Sequence, residues 1–184
     1  KPTFRKVGPL KDLKKVSQLH HEDEAKKFIQ QRKIPTTYHA ELFKVERFKA
    51  FVNSVIPNKF SEASLRSDDA RIIIPFFNKQ KEVIGFRGRA IGQSDVKYIT
   101  IMVDEANPKV YGLDKVEMGK TYYVFEGPFD AMFIPNSIAT AGGDICSVLS
   151  TIEHNKENTV IVYDNERRSK QTVKKIEKAI NKGY

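Results

Sequence analysis

Acidic side chains follow two apolar runs in the second half of this 184-residue chain. Glu126 comes directly after residues 122–125. Asp164 comes directly after residues 160–163, and Glu166 lies two residues further along. Carboxylate oxygens are hard ligands of the kind that suit Mg²⁺ or Mn²⁺, and these ions serve phosphate chemistry. Held together, three such carboxylates would repel one another unless a cation lay among them, so the pattern indicates a divalent-metal site.

The elements around these residues are what would bring them together. Each apolar run is short and rich in β-branched or aromatic residues, which favours a buried strand over a helix. A segment with helical spacing follows each run, and the stretch between them has room for a helix, a strand and another helix. In a parallel sheet the carboxyl ends of the strands meet at one edge, where ligands bind. We therefore expect Glu126, Asp164 and Glu166 to share a small volume.

The turn after Glu126 has the features of a helix start. Gly127 permits a tight turn, and Pro128 suits the first turn of a helix. Asp130 lies where a negative charge stabilises a helix N-terminus, and we count it as a further candidate metal ligand. An alternative is that both acidic residues serve only as dipole partners of the helix.

The remaining periodicities predict an α+β N-terminal subdomain, with helices and an antiparallel meander, followed by an α/β domain with a parallel sheet. We expect a basic arm over residues 1–20, the N-terminal subdomain over 21–118 and the α/β domain over 119–184. Helices are predicted over 21–33 and 39–55, meander strands over 71–77, 82–91 and 96–103, later strands over 121–126, 137–140 and 159–164, and helices near 128–134, from about 144, and over 170–184.

Composition and charge limit the possible functions. The net charge is +9, and a basic balance of this size favours a polyanionic partner, with nucleic acid first. No apolar run approaches the roughly 20 residues that span a bilayer, so no membrane partner is expected and the cytoplasm is the default location. Cys146 is the single cysteine, which excludes a multi-cysteine zinc site within these residues, and we expect it to be a buried small hydrophobe.

Basic residues on the predicted meander form a candidate surface for nucleotide or nucleic acid. Arg71, Arg87, Arg89 and Lys97 lie on or beside its strands. Arg87 and Arg89 are two residues apart and therefore point to the same face. Two glycines nearby, at positions 85 and 88, would let a ligand or another backbone approach closely. The alternative is a solvated strand face.

Two motifs carry a resemblance to a known family. The E-G-x-x-D-A sequence at 126–131, followed by D-N-E at 164–166, resembles the Toprim domain of bacterial-type primases, type IA and II topoisomerases and some nucleases. The G-x-x-G-R sequence at 85–89 and the Lys-Tyr pair at 97–98 are similar to the basic subdomain that precedes Toprim in those primases. The segments 126–134 and 164–170 look in particular like the primases of T-even-like phages, and the resemblance covers roughly residues 20–184. The family usually has D-x-D where this chain has D-N-E.

The resemblance implies synthesis of short RNA primers on single-stranded DNA from ribonucleoside triphosphates. Asp164 and Glu166 would hold Mg²⁺ or Mn²⁺, and Glu126 would ligate metal or position the attacking 3′-hydroxyl, with Asp130 in support. The basic residues named above would bind template or triphosphate. A replicative hexameric helicase is the implied protein partner, and the host cytoplasm is the implied location if the chain is phage-encoded.

The resemblance also implies that parts of the protein lie elsewhere. Zinc would be bound only in a segment absent from these residues, and the Toprim domain is expected to be C-terminally incomplete. Two alternatives remain open. One is a Toprim-type nuclease or topoisomerase fragment using the same carboxylates. The other is a non-catalytic basic module that binds single-stranded nucleic acid.

Overall fold

The computed structural model of the protein describes residues 8–166 and 168–184. The chain divides into two compact units, one extending through Glu105 and the other spanning Ala106–Tyr184. This boundary lies before the predicted one at 118. The reason is that a short strand, Val110–Tyr111, pairs within the second unit, and Leu113 and Val116 belong to the second core.

The first unit contains a five-stranded antiparallel sheet. Its strands, in both chain and sheet order, are β1 (Lys14–Lys15), β2 (Phe43–Val45), β3 (Arg71–Phe77), β4 (Val83–Ala90) and β5 (Tyr98–Met102). The predicted three-stranded meander is therefore confirmed as β3, β4 and β5. The two shorter strands that extend the sheet beyond β3 were not predicted.

Helices α1 (Glu24–Gln31), α2 (Phe48–Val55) and α3 (Glu62–Leu65) belong to the same unit. The predicted helix over 39–55 is wrong in its first half, because Phe43 and Val45 are buried alternately in β2. The backbone N–H groups of Lys49 and Ala50 donate to the Asp68 carboxylate, at 2.7 and 2.9 Å. A side chain distant in sequence thus satisfies the first turn of α2 and helps to define where it begins.

The predicted arm over residues 1–20 is also corrected over the part that the structure describes, residues 8–20. Leu10 and Val16 are fully buried, and Leu10 belongs to the core cluster of the first unit. β1 pairs with β2, and the Val16 N–H donates to the Leu42 carbonyl at 2.8 Å. Apolar residues at these two positions therefore tie this segment to the sheet. The rest of the predicted arm, residues 1–7, lies outside the described residues.

Pro75 lies in a strand that is third of five in the sheet order, although a proline there predicts an edge or a bulge. Pairing with β2 extends only as far as Ile73, so from that point onward β3 is paired on the β4 side alone. The register also shifts between Phe76 and Phe77. The proline therefore occupies a local edge next to an irregularity, where its missing N–H leaves no sheet hydrogen bond unmade.

The second unit contains a four-stranded mixed sheet in the order β6-β8-β7-β9. Its strands are β6 (Val110–Tyr111), β7 (Tyr122–Phe125), β8 (Ser137–Thr140) and β9 (Thr159–Val162), and its helices are α4 (Pro128–Ala131), α5 (Ile145–Leu149) and α6 (Lys170–Asn181). β7 is parallel to both β8 and β9, as the β-α-β-α alternation predicts, whereas β6 is antiparallel to β8. That antiparallel strand was not predicted, since a two-residue element carries no periodic signal.

Packing in the second unit explains the single cysteine. Cys146 is 1% exposed on α5, between Ile145 and the turn that ends in Leu149, both of which are fully buried. The prediction of a buried small hydrophobe is confirmed. Nowhere in residues 8–166 or 168–184 is a helix both long and apolar enough to cross a membrane.

Candidate functional site

The strands that carry the acidic motifs are neighbours in the second sheet. β7 and β9 run parallel, with Phe125 opposite Val162 at their carboxyl ends. Glu126 follows the last residue of β7 directly, and Asp164 lies two residues beyond the end of β9. The two motifs therefore leave the sheet at the same edge.

The Glu126 carboxylate is held between its own strand and the final helix. Its side chain is 23% exposed, and it forms an ion pair with the Lys175 ammonium of α6 at 2.5 Å. The Lys175 side chain is itself only 30% exposed, so the pair is partly shielded from solvent. The carbonyl of Lys175 accepts a hydrogen bond from the Tyr163 hydroxyl at 3.2 Å, which ties α6 to the end of β9.

Asp164 and Glu166 lie in the exposed turn between β9 and α6. The N–H of Glu166 donates to the Asp164 carbonyl at 2.7 Å, and the Ser169 N–H donates to the Glu166 carbonyl at 2.9 Å. The Glu166 carboxylate also accepts from the Thr172 hydroxyl at 3.3 Å. The backbone turn is thus closed by local hydrogen bonds, while both carboxylates face solvent.

The three predicted ligands share an edge of the sheet but do not form a closed cluster. Across the described residues, no group of three or more Asp, Glu, His or Cys side chains is arranged to hold a metal ion. The donor chemistry still fits Mg²⁺ or Mn²⁺, because all three candidates are carboxylates at one strand edge and two of them are exposed. The assignment of Glu126, Asp164 and Glu166 as metal ligands stays a prediction.

Asp144, at the start of α5, is a carboxylate near this edge that the sequence analysis did not select. It accepts hydrogen bonds from the Ser147 N–H and hydroxyl, and it pairs with the Lys178 ammonium at 2.9 Å. Burial raises the pKa of Asp144, but the hydrogen bonds from Lys178 and Ser147 outweigh it and hold the pKa below its ordinary value. The signal was present in the sequence, since Asp144 follows a glycine pair after β8 just as Glu126 follows β7.

The Tyr163 hydroxyl, just beyond the end of β9, is influenced electrostatically by both Asp144 and Glu126. Burial raises the pKa of the Tyr163 hydroxyl, and its neighbour Cys146 and the charges of Asp144 and Glu126 raise it further. The edge carries two lysine–carboxylate pairs, Lys175–Glu126 and Lys178–Asp144, both made by α6.

Asp130 is exposed, and its carboxylate folds back over the start of α4. A β-carbon added at Gly127 would lie 2.6 Å from the Asp130 Oδ2. The proposed support of the helix start by Asp130 stays a prediction. Its assignment as a metal ligand stays a prediction.

The basic residues of the first unit fall into two environments. Arg87 and Arg89 stack on the ring of Tyr98, with guanidinium-to-centroid distances of 4.2 and 5.0 Å. Arg89 also donates to the Lys97 carbonyl at 3.3 Å, while the Lys97 side chain is exposed. The expectation that the two arginines share a face is confirmed, and Lys97 lies beside them.

Arg71, by contrast, is 1% exposed. Its guanidinium makes a bidentate pair with Asp69, at 2.7 and 2.8 Å, and donates to the carbonyls of Gly88 and Val96 and to the Ser94 hydroxyl. These partners compensate the buried positive charge of Arg71 within the first unit. Binding of nucleotide or template by Arg71 stays an untested prediction, with a structural role as the alternative that its surroundings favour.

The two glycines of β4 serve internal packing. A β-carbon at Gly88 would lie 2.4 Å from the Phe48 ring, and one at Gly85 would lie 2.7 Å from both the Ile101 carbonyl and the Met102 sulfur. The close approach predicted at these positions is real, but the groups that approach are the protein's own core.

Comparison with known proteins finds similar sequences and structures for most of the chain. The DNA primase of Enterobacteria phage T4 is 33% identical over 158 residues, which is 85% of this chain and 44% of the relative. The zinc-binding and RNA polymerase domains of Aquifex aeolicus primase match with a TM-score of 0.58 and 23% identity, over 86% of this chain and 46% of that one. A DnaG primase catalytic domain bound to ssDNA matches with a TM-score of 0.55 and 16% identity, over 86% of this chain and 61% of that one.

No protein-family model matches the chain. The chain spans less than half the length of the phage T4 primase, so the comparison covers a part of that protein. The structural matches cover 86% of this chain and therefore include parts of both units. The chain is thus a relative of the phage T4 DNA primase and has the fold of a bacterial-type primase catalytic core.

Proposed function

We propose that this chain is part of a DNA primase core that makes short RNA primers on single-stranded DNA by metal-dependent nucleotidyl transfer. The observation that carries the proposal is the 33% identity to the phage T4 DNA primase over 158 residues, which is 85% of the chain. The shared sheet edge of Glu126 and Asp164 supports it, because polymerisation needs carboxylates at one place.

In this proposal Asp164 and Glu166 hold Mg²⁺ or Mn²⁺, and Glu126 ligates metal or positions the 3′-hydroxyl of the growing strand. When bound, the metal would neutralise phosphate charge and stabilise the attacking and leaving oxygens. The exposed turn that carries Asp164 and Glu166 leaves both carboxylates accessible to a nucleotide. Asp130 acts through the start of α4, where its carboxylate covers Gly127.

The basic residues of the first unit are proposed to bind phosphate. Stacking on the Tyr98 ring orients the guanidinium groups of Arg87 and Arg89, and the Lys97 side chain is exposed beside them. Guanidinium groups fixed in this way bind phosphate oxygens with little further loss of freedom. The net charge of +9 supports a polyanionic partner, and a related catalytic domain has been solved with single-stranded DNA.

The remaining partners follow from the same proposal. Ribonucleoside triphosphates are the substrates, a replicative hexameric helicase is the expected protein partner, and the host cytoplasm is the expected location. Any zinc would be bound outside these residues, since Cys146 is the single cysteine of the chain and is buried. We also propose that the second unit is a Toprim domain.

A primer-synthesis assay tests the proposal. The chain is incubated at high concentration with single-stranded circular DNA, labelled ribonucleotides and Mg²⁺ or Mn²⁺, beside Glu126→Gln and the control Glu153→Gln. Glu153 is an exposed carboxylate of the same unit and lies outside the acidic edge. Short labelled RNA from the parent and the control, but not from Glu126→Gln, is the expected result.

Two other outcomes would overturn the proposal in different directions. Nicked template without RNA, lost in Glu126→Gln, would indicate a nuclease. DNA binding with neither RNA nor nicking, unchanged in Glu126→Gln, would indicate a non-catalytic binding module.

A further inference from the structure

Three arginines and two aromatic rings of the first unit form a continuous row. The Arg32 guanidinium carbon lies 5.7 Å from the centre of the Phe28 ring, and that of Arg89 lies 5.2 Å from the same ring. Arg89 lies 5.0 Å and Arg87 4.2 Å from the centre of the Tyr98 ring. We call the five side chains, in the order Arg32, Phe28, Arg89, Tyr98 and Arg87, the arginine–aromatic row.

Secondary structure sets the order of the row. Arg87 and Arg89 are two residues apart on β4 and therefore point to the same face of the sheet. Arg89 is directly opposite Tyr98 on β5. Phe28 and Arg32 are four residues apart on α1 and its C-terminal cap, so they share one side of the helix. The row therefore joins a helix to two strands through side chains alone.

Stacking controls how the guanidiniums can bind a ligand. A cation over a ring is attracted by the ring's negative face, which holds the planar guanidinium in place. Arg89 has one contact of this kind on each of two rings, and its buried Nε has no hydrogen-bond partner among the described residues. Within the described part of the chain, its orientation is thus set by the two rings and by a hydrogen bond to the Lys97 carbonyl.

Three guanidiniums in one row also concentrate positive charge. Arg32 is exposed, and Arg87 and Arg89 are partly exposed. An anion that spans the row would be attracted by all three guanidiniums. A row of guanidiniums on one face suits a repeating anion such as a phosphodiester chain, or the linked phosphates of a nucleotide.

We propose that the arginine–aromatic row is a phosphate-binding track in which Arg32 is a third binding residue, while Phe28 and Tyr98 are positioning residues. The proposal rests on the proposed function, which supplies two sources of phosphate, the template strand and the incoming triphosphate. It extends that function to the C-terminal end of α1, and it gives the rings a role in orienting charge.

The first test compares Arg32→Ala with the control Arg66→Ala. Arg66 is an exposed arginine at the end of α3 in the same unit and is not part of the row. Binding of a fluorescent oligo-dT is measured in EDTA over a series of salt concentrations. Loss of one phosphate contact should reduce the slope of log K against log salt by about 0.7 for a single strand. We expect that reduction for Arg32→Ala and none for Arg66→Ala.

A parallel titration with ATP in EDTA separates the two sources of phosphate. A reduced oligo-dT slope assigns Arg32 to the strand, and weakened ATP binding with an unchanged slope assigns it to the triphosphate. Either result supports the track. If the parent binds both ligands and Arg32→Ala matches Arg66→Ala with both, the track is refuted while the primase proposal stands. If the parent binds neither, both proposals fail.

The second test concerns the ring between the two strand arginines. Tyr98→Phe keeps the ring, and Tyr98→Leu keeps an apolar side chain without it. We expect Tyr98→Phe to bind oligo-dT as the parent does and Tyr98→Leu to bind about tenfold more weakly at low salt, by loss of charge-assisted bonds that need the aligned guanidiniums. Both variants are measured well below their unfolding midpoints. Equal binding by folded Tyr98→Leu would show that the ring has no positioning role.

Discussion

Replacing Asp69 by asparagine tests whether Arg71 is held for the fold or for nucleic acid. The Arg71 guanidinium is almost completely buried and makes two short bonds to the Asp69 carboxylate, at 2.7 and 2.8 Å. Asparagine keeps the shape and one acceptor oxygen but removes the negative charge. The variant therefore leaves a buried guanidinium without its counter-charge.

The size of the effect follows from the exposure of the two groups. Removing one partner of a buried ion pair costs about 3–5 kcal/mol, because the remaining charge is left uncompensated. The Arg71 side chain is 2% exposed and that of Asp69 is 27% exposed, so solvent relieves part of this cost. The hydrogen bonds from Arg71 to the Gly88 and Val96 carbonyls also remain. We expect a loss near the lower limit, about 3 kcal/mol in the free energy of unfolding.

Urea unfolding followed by circular dichroism measures this loss, with Asp95→Asn as the matched control. Asp95 is an exposed carboxylate near the same guanidinium, and its replacement should change stability by less than about 0.5 kcal/mol. Oligo-dT binding by folded Asp69→Asn should equal that of the parent. A stability loss below about 1 kcal/mol, or a changed salt slope of binding, would refute a structural role for Arg71.

Two further changes probe the packing and the electrostatics of the first unit. Gly88→Ala should cost about 1–3 kcal/mol in urea unfolding, because its β-carbon would lie 2.4 Å from the Phe48 ring, whereas Gly92→Ala meets nothing within 4 Å and should be nearly neutral. Asp23→Asn should cost about 1 kcal/mol at neutral pH, since it removes the ion pair with Lys44. Burial raises the pKa of Asp23, but its hydrogen bonds, led by that from Lys44, outweigh burial and hold the pKa below 3.8. The difference in unfolding free energy between the variant and the parent should therefore be complete above pH 3.8. It should shrink as the pH falls through the lowered pKa. A difference that persists unchanged in acid would contradict this assignment.

Backbone features of the second unit could be predicted because they follow from periodic burial. The apolar runs that become β7 and β9 are bounded by polar residues, and their parallel pairing follows from the helical segments between them. The common edge of Glu126 and Asp164 was predictable for the same reason. The strand β6 was not, because two residues carry no period and its pairing with β8 depends on distant sequence.

Long-range contacts also explain the errors in the first unit. The sequence favoured one helix over residues 39–55, yet Phe43 and Val45 alternate into the sheet core beside β3. The beginning of α2 is capped by Asp68, a partner that lies beyond any window used to read helix signals. Tertiary pairing thus overrides local propensity where a strand of three residues completes a larger sheet.

The acidic edge shows where prediction from residue type stops. Carboxylates at adjacent strand ends predict a shared location, but the direction of each side chain depends on which cation it meets. The lysines of α6 set the direction of two of these carboxylates. Lys175 and Lys178 lie on one side of the helix, and their ammonium groups pair with Glu126 and Asp144, respectively. A divalent ion at this edge would compete with the Lys175 ammonium for Glu126, since both are attracted by the same oxygens. The contact that Lys175 of α6 makes with Glu126 therefore affects whether Glu126 is available to the proposed metal ion.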